Sequence, residues 1–157
     1  MVGAYITAGG YFDSPILISS IAIGILIANI AHTHAIMDFK SDISVGKTSL
    51  ATFLKTSDNA IIAQALMYAC AYLIMAVGIL TNVFPLASVL VFITIPKAVA
   101  LVKLMKTEDK TKKLWMGPME NWGNLQKEGL DWFMLRFYLS RNIVTDFVII
   151  LAITYFI

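Results

Sequence analysis

The 157-residue chain has one cysteine, Cys70. A single thiol excludes a disulfide within the chain and any metal site built on several cysteines. Set in the apolar run "QALMYACAYLIM", it reads as a small buried apolar residue. Charge is also scarce. Asp, Glu, Lys and Arg make up 14% of the residues, against about 25% in soluble domains. The net charge is only +2, and the lysines lie beside apolar runs with no basic groove, so nucleic acid is excluded as a partner. No secretory leader is evident. "MVGAYITAGGYF" has no positive start, and glycines break its apolar stretch; it reads as the tail of an earlier helix. Internal repeats and low-complexity tracts are missing.

Apolar residues are abundant, at 59% of the chain, where soluble domains carry about 45–50%. The mean hydropathy of +0.78 agrees. Four segments approach the ~20 residues needed to cross a bilayer: about Pro15–Met37, Asn59–Leu80, Pro85–Met105 and Asp131–Ile157. The chain is thus expected to be an all-α, polytopic transmembrane bundle in contact with lipid. Asp13 or Ser14 would cap the first span, with Pro15 in its first turn. Asp58 would cap the second. Pro96 would kink the third. Within the last, Asp146 falls about 15 residues in, at a depth where a charge needs a partner. Lys97 is the expected one, with Arg141 and Asn142 as competitors.

Two loops, 38–58 and 106–131, share one side of the membrane. They and the helix ends beside them carry the basic residues, and the opposite side has none. By the positive-inside rule the loaded side is cytoplasmic. The second loop, with Trp115, Trp122 and several lysines, reads as an interfacial segment facing anionic headgroups, or as a lid over a site on that face.

The end of the first span carries the chemistry: "HAIMDFKSDISVGKTSLATFL", residues 34–54. His34, Asp38 and Asp42 are four apart, so a continuing helix lines them on one face at about 6 Å per step. Two carboxylates this close repel each other unless a cation lies between them. Hard oxygen donors suit Mg²⁺, which commonly takes one or two carboxylates and completes its shell with phosphate oxygens and water. The pair therefore reads as half of a metal–diphosphate site. The residues equally permit a solvated pair, or one neutralised by Lys40 and Lys47. Gly46-Lys47-Thr48 is no P-loop: Ser41 stands where that motif needs its first glycine, and a membrane helix stands where it needs a strand. Gly46 reads as a helix stop, and Lys47 as a cation at phosphate level.

"MDFKSDISVGKTSLATFL" resembles the second aspartate-rich motif of the UbiA superfamily of intramembrane prenyltransferases, D-x-x-x-D followed by G-K-x-T-L-A. It looks most like the naphthoate polyprenyltransferase side of that family, although His34 stands where that pattern usually has asparagine. "VGAYITAGGYFDSPILISSIAIGILIANI" is similar to the family's fifth-helix tail and sixth helix. The four spans would then correspond to the last four helices of a nine-helix fold, and residues 1–157 to its C-terminal half. The first family motif, N-D-x-x-D, has no counterpart here.

The resemblance implies transfer of a prenyl group from a prenyl diphosphate to a membrane-soluble, often aromatic acceptor such as a quinone precursor. It implies Mg²⁺ on Asp38 and Asp42, diphosphate contact by Lys47, His34 beside the substrates, and a partner half carrying the first motif. Lys55, in an expected cap helix "TSLATFLK", is a possible phosphate neighbour. Lys40 should point away. Met67, Tyr68, Tyr72 and Met75 read as packing before they read as an isoprenoid wall. A catalytically silent membrane scaffold is the alternative. A small transporter fits less well, because the span interiors hold few polar residues beyond Asn29, Gln64 and Lys97.

Overall fold

A computed structural model describes residues 9, 11, 13–107 and 122–154. Four helices are long and apolar enough to cross a membrane, and no strand occurs among the described residues. Helix α1 is Ser14–Met37, α2 Phe39–Ser44, α3 Leu50–Phe53 and α4 Ser57–Leu80. A 3₁₀ segment, η1, covers Leu86–Thr94 and runs into α5, Ile95–Met105. Helix α6 is Trp122–Lys127 and α7 is Asp131–Thr154. Residues 155–157 and Trp115 lie outside the described residues.

Local chemistry sets the boundaries. Asp13 caps α1, its carboxylate accepting from Ile16 N–H at 3.0 Å, with Pro15 in the first turn where a missing N–H costs nothing. Thr56, not Asp58, caps α4: its hydroxyl accepts from Asn59 N–H at 3.1 Å, which leaves Asp58 in the first turn. Pro96 does not kink the middle of a helix. It sits in the first turn of α5, behind the 3₁₀ stretch. It lacks the N–H that would bond Phe92 O in α-fashion, and Ile95 N–H takes that carbonyl in the tighter 3₁₀ pattern.

Three helices end alike. Asn82 after α4 has φ 57, and Gly129 after α6 has φ 71. In each case the next residue bonds back five positions, Val83 to Gly78 at 2.8 Å and Leu130 to Leu125 at 2.9 Å. This left-handed stop satisfies carbonyls that a helix end would otherwise orphan. Gly78 also lets Phe84 lie on the helix: a Cβ there would come within 2.5 Å of the ring. The third such stop, at Gly46, builds the site.

The spans follow one another around the bundle, α1 packing on α4 and α7, and α5 with η1 packing on α4 and α7. Leu26, Met75, Val91, Leu101, Leu139 and Phe147 meet in the core. Large apolar side chains such as Ile27, Leu66, Leu73 and Ile153 face outward, as lipid-facing helices require. Cys70 is also exposed rather than buried, because it falls on the outer face of α4.

Apolar attraction between helices fades in lipid, so polar contacts carry more of the association. A buried seam joins α1 to α4. Asn29 donates to Gln64 O at 3.2 Å, Gln64 donates to Thr33 Oγ1 at 2.7 Å, and His32 Nε2 donates to Ala60 O at 2.9 Å. Tyr72 and Thr94 hydroxyls join α4 to η1 at 2.6 Å. Lys97 pairs with Asp146 between α5 and α7, both side chains half-buried, which is the pairing expected from their depth.

Candidate functional site

The motif segment keeps helical rungs past the end of α1. Asp38 N–H donates to His34 O at 2.9 Å, and Asp42 N–H donates to Asp38 O at 2.8 Å. Asp38 itself relaxes to φ −88, ψ 3, between α1 and α2. His34, Asp38 and Asp42 are thus successive rungs of one helical ladder, which puts them on one face.

Helix α2 then stops on Gly46, at φ 70. Gly46 N–H bonds Ile43 O at 3.1 Å and Lys47 N–H bonds Asp42 O at 2.9 Å. The backbone therefore folds Lys47 back over the turn that carries Asp42, and Lys47 Nζ comes 3.0 Å from Asp42 Oδ1. The spacing D-x-x-x-G-K from Asp42 is the sequence form of that geometry: three residues to the stop, then a cation delivered back onto the turn of Asp42.

The two aspartates differ in setting. Asp38 is exposed. Asp42 is 4% exposed; Oδ1 is held by Lys47, while Oδ2 is buried with no hydrogen-bond partner. A buried, unpartnered carboxylate oxygen is costly, and a cation beside it would remove that cost. Lys47 keeps 61% of its side chain exposed, so it can meet a ligand while still holding Asp42. Among the described residues no cluster of three or more His, Cys, Asp or Glu could hold a metal. Asp38 and Asp42 offer hard carboxylate oxygens, the donor type that suits a divalent cation such as Mg²⁺.

Short bonds fix the loop after Lys47. Ser49 caps α3 reciprocally with Thr52, and Thr52 Oγ1 also donates to Lys47 O at 3.2 Å. Lys55 lies beyond the end of α3, exposed, at φ 67, not within a cap helix as long as the sequence suggested. Lys40 is exposed, two residues on from Asp38 and so on the other side of the turn.

His34 is half-buried, and its ring stacks on two aromatics of α7. Phe133 is 5.6 Å away at 5° and Phe137 is 4.9 Å away at 25°. Its Nε2 is buried and has no partner. Tyr68, Tyr72 and Met75 of α4 are buried in the core and Met67 is half-buried, in keeping with packing roles.

Sequence reasoning missed Arg136, which is fully buried on α7. It donates to Leu104 O and Thr107 O, each at 2.6 Å, and to Trp132 O at 2.9 Å. Its guanidinium also lies 4.2 Å from the centre of the Trp132 ring. Its position ten residues before Asp146 gave no periodic signal. The one available hint was an arginine inside the amphipathic start of a span.

The family model described as the UbiA prenyltransferase family matches residues 1–124 of the chain. No curated protein and no solved structure matches it.

Proposed function

The chain belongs to the UbiA prenyltransferase family, and we propose that it supplies one carboxylate half-site for moving a prenyl group from a prenyl diphosphate to a membrane-soluble acceptor, such as the aromatic ring of a quinone precursor. The observation that carries this reading is Asp42, buried, with one oxygen on Lys47 and the other uncommitted, one helical rung from exposed Asp38. Asp38 and Asp42 would hold Mg²⁺. When bound, the ion supplies neutralising charge to the diphosphate as the allylic C–O bond breaks.

The chain's own residues do the rest. Lys47 pairs with Asp42 and offers its exposed ammonium to a diphosphate oxygen. Asp38 or Asp42 would accept the proton that the alkylated acceptor releases, and Asp38 is the one open to solvent. His34, fixed on Phe133 and Phe137, offers Nε2 as a polar contact at the substrate edge. The apolar outer faces of the spans suit an isoprenoid chain. The motif faces the cytoplasm, by the distribution of lysine and arginine. A second half with the other aspartate motif completes the site.

Titrating a non-hydrolysable prenyl diphosphate into this chain, co-purified with a family N-terminal half, tests the reading. Binding should need Mg²⁺ in the native pair and lose that dependence in Asp38→Asn/Asp42→Asn. Unchanged Mg²⁺-dependent affinity in the double variant would refute the assignment and favour a silent scaffold.

A further inference from the structure

A second charged feature lies across the helical turn from the aspartates. A cavity of about 290 Å³ opens at the same end of the bundle. Its walls include Met37, Lys40, Ser57, Lys106, Thr107 and Trp132. Neither Asp38 nor Asp42 lines it. Sites for whole drug-sized ligands run from about 300 to 1,000 Å³, so this one, at the low end, has room for a phosphate-sized group.

Two lysines stand in its walls. Lys40 comes from α2 and Lys106 follows the end of α5, and neither has an ion-pair partner among the described residues. Ser57 is the first residue of the 24-residue α4, whose N-terminal end carries a partial positive charge. The opposing negative end of α5 is covered, because Arg136 donates to Leu104 O and Thr107 O. The same guanidinium bonds Trp132 O and stacks on its ring, so it holds two of the walls, Thr107 and Trp132, in place. Asp38, Asp58 and Asp131 are the described acids adjoining the lining residues in sequence, and Glu108, outside the described residues, follows Thr107. Asp38 and Asp58 are exposed, and Asp131 is buried and already engaged. Two lysines in the wall of one small pit are the residue type that binds phosphate as point charges.

We propose that this pit is a second anion site, distinct from the aspartate motif, which binds a phosphate group through Lys40 and Lys106 without a metal ion. The phosphate could belong to a lipid headgroup or to a soluble ion, and the test separates the two. The full chain, in neutral detergent with EDTA, is heated in the presence of inorganic phosphate or short-chain phosphatidic acid. Sodium chloride at equal ionic strength and phosphatidylcholine serve as references. At least one phosphate arm should raise the unfolding midpoint saturably above its reference. Protection by inorganic phosphate assigns a soluble ligand, and protection by phosphatidic acid alone assigns a headgroup. Lys40→Gln/Lys106→Gln should raise the half-saturating concentration by about tenfold or more, as loss of charge-assisted contacts requires. Lys40→Arg/Lys106→Arg should retain binding, and so should Asp38→Asn/Asp42→Asn. If the glutamine pair does not fold, Ser57→Glu, which sets a carboxylate in the wall, should give the same loss. Absence of saturable protection in the native chain, or native half-saturation in the charge-altered variants, overturns the proposal.

Discussion

Lys47 is folded onto Asp42 by a left-handed glycine between them, and the contact leaves one carboxylate oxygen bound and the other buried without a partner. The ion pair therefore depends on backbone conformation as much as on charge. A residue that resists positive φ at position 46 should open it.

Gly46→Ala tests that dependence. A Cβ at Gly46 meets nothing within 4 Å, so the cost is conformational and should be about 1 kcal/mol. Gly46→Asn should cost less, because asparagine tolerates the left-handed region. Denaturant titration in mixed micelles reads the stability, and Mg²⁺-dependent donor binding should weaken in the same order.

The Lys97–Asp146 pair joins α5 to α7 at membrane depth. Lys97→Met and Asp146→Leu should each destabilise the bundle. The double variant should be less damaged than their sum, with a coupling of about 1 kcal/mol. Both side chains keep some exposure, so the value should stay below that of a fully buried pair. Strict additivity would show that the contact contributes nothing.

Topology can be read chemically. In a Cys70→Ser background, single cysteines at Ser44 and Gln126, both exposed, should resist an impermeant thiol reagent in intact cells and react once the membrane is opened. Labelling of either from outside would place the motif on the wrong face.

Much of this was legible in the residues. Apolar length alone gave four spans, because lipid demands it. Gly46 could be read as a stop because few residues tolerate its φ, and Lys97 with Asp146 because charges at depth seek each other. The cap of α4 was misread, since Thr56 and Asp58 are both good caps and only geometry chooses between them. Cys70 was misplaced because an apolar run in a membrane has no polar side to mark which face is outward. The pit holding Lys40 and Lys106 was invisible. Its walls come from five elements, α1, α2, α4, α5 and α7, and Arg136, which fixes two of the wall residues, has no pattern around it. Asp42's buried oxygen could not be foreseen either, because spacing gives the pair but not the difference between its members.

A diphosphate carries about three negative charges, and two aspartates organise roughly one Mg²⁺. If Asp38 and Asp42 are half of a site, this chain should turn over no prenyl diphosphate until a second carboxylate cluster joins it. The direct measurement is a product assay on the detergent-purified chain alone and on the same chain co-purified with a family N-terminal half. Mg²⁺-dependent alkylation by the pair, lost in Asp38→Asn/Asp42→Asn, with none by the chain alone, is the predicted result. Robust turnover by the chain alone would contradict it, by showing that one aspartate motif suffices.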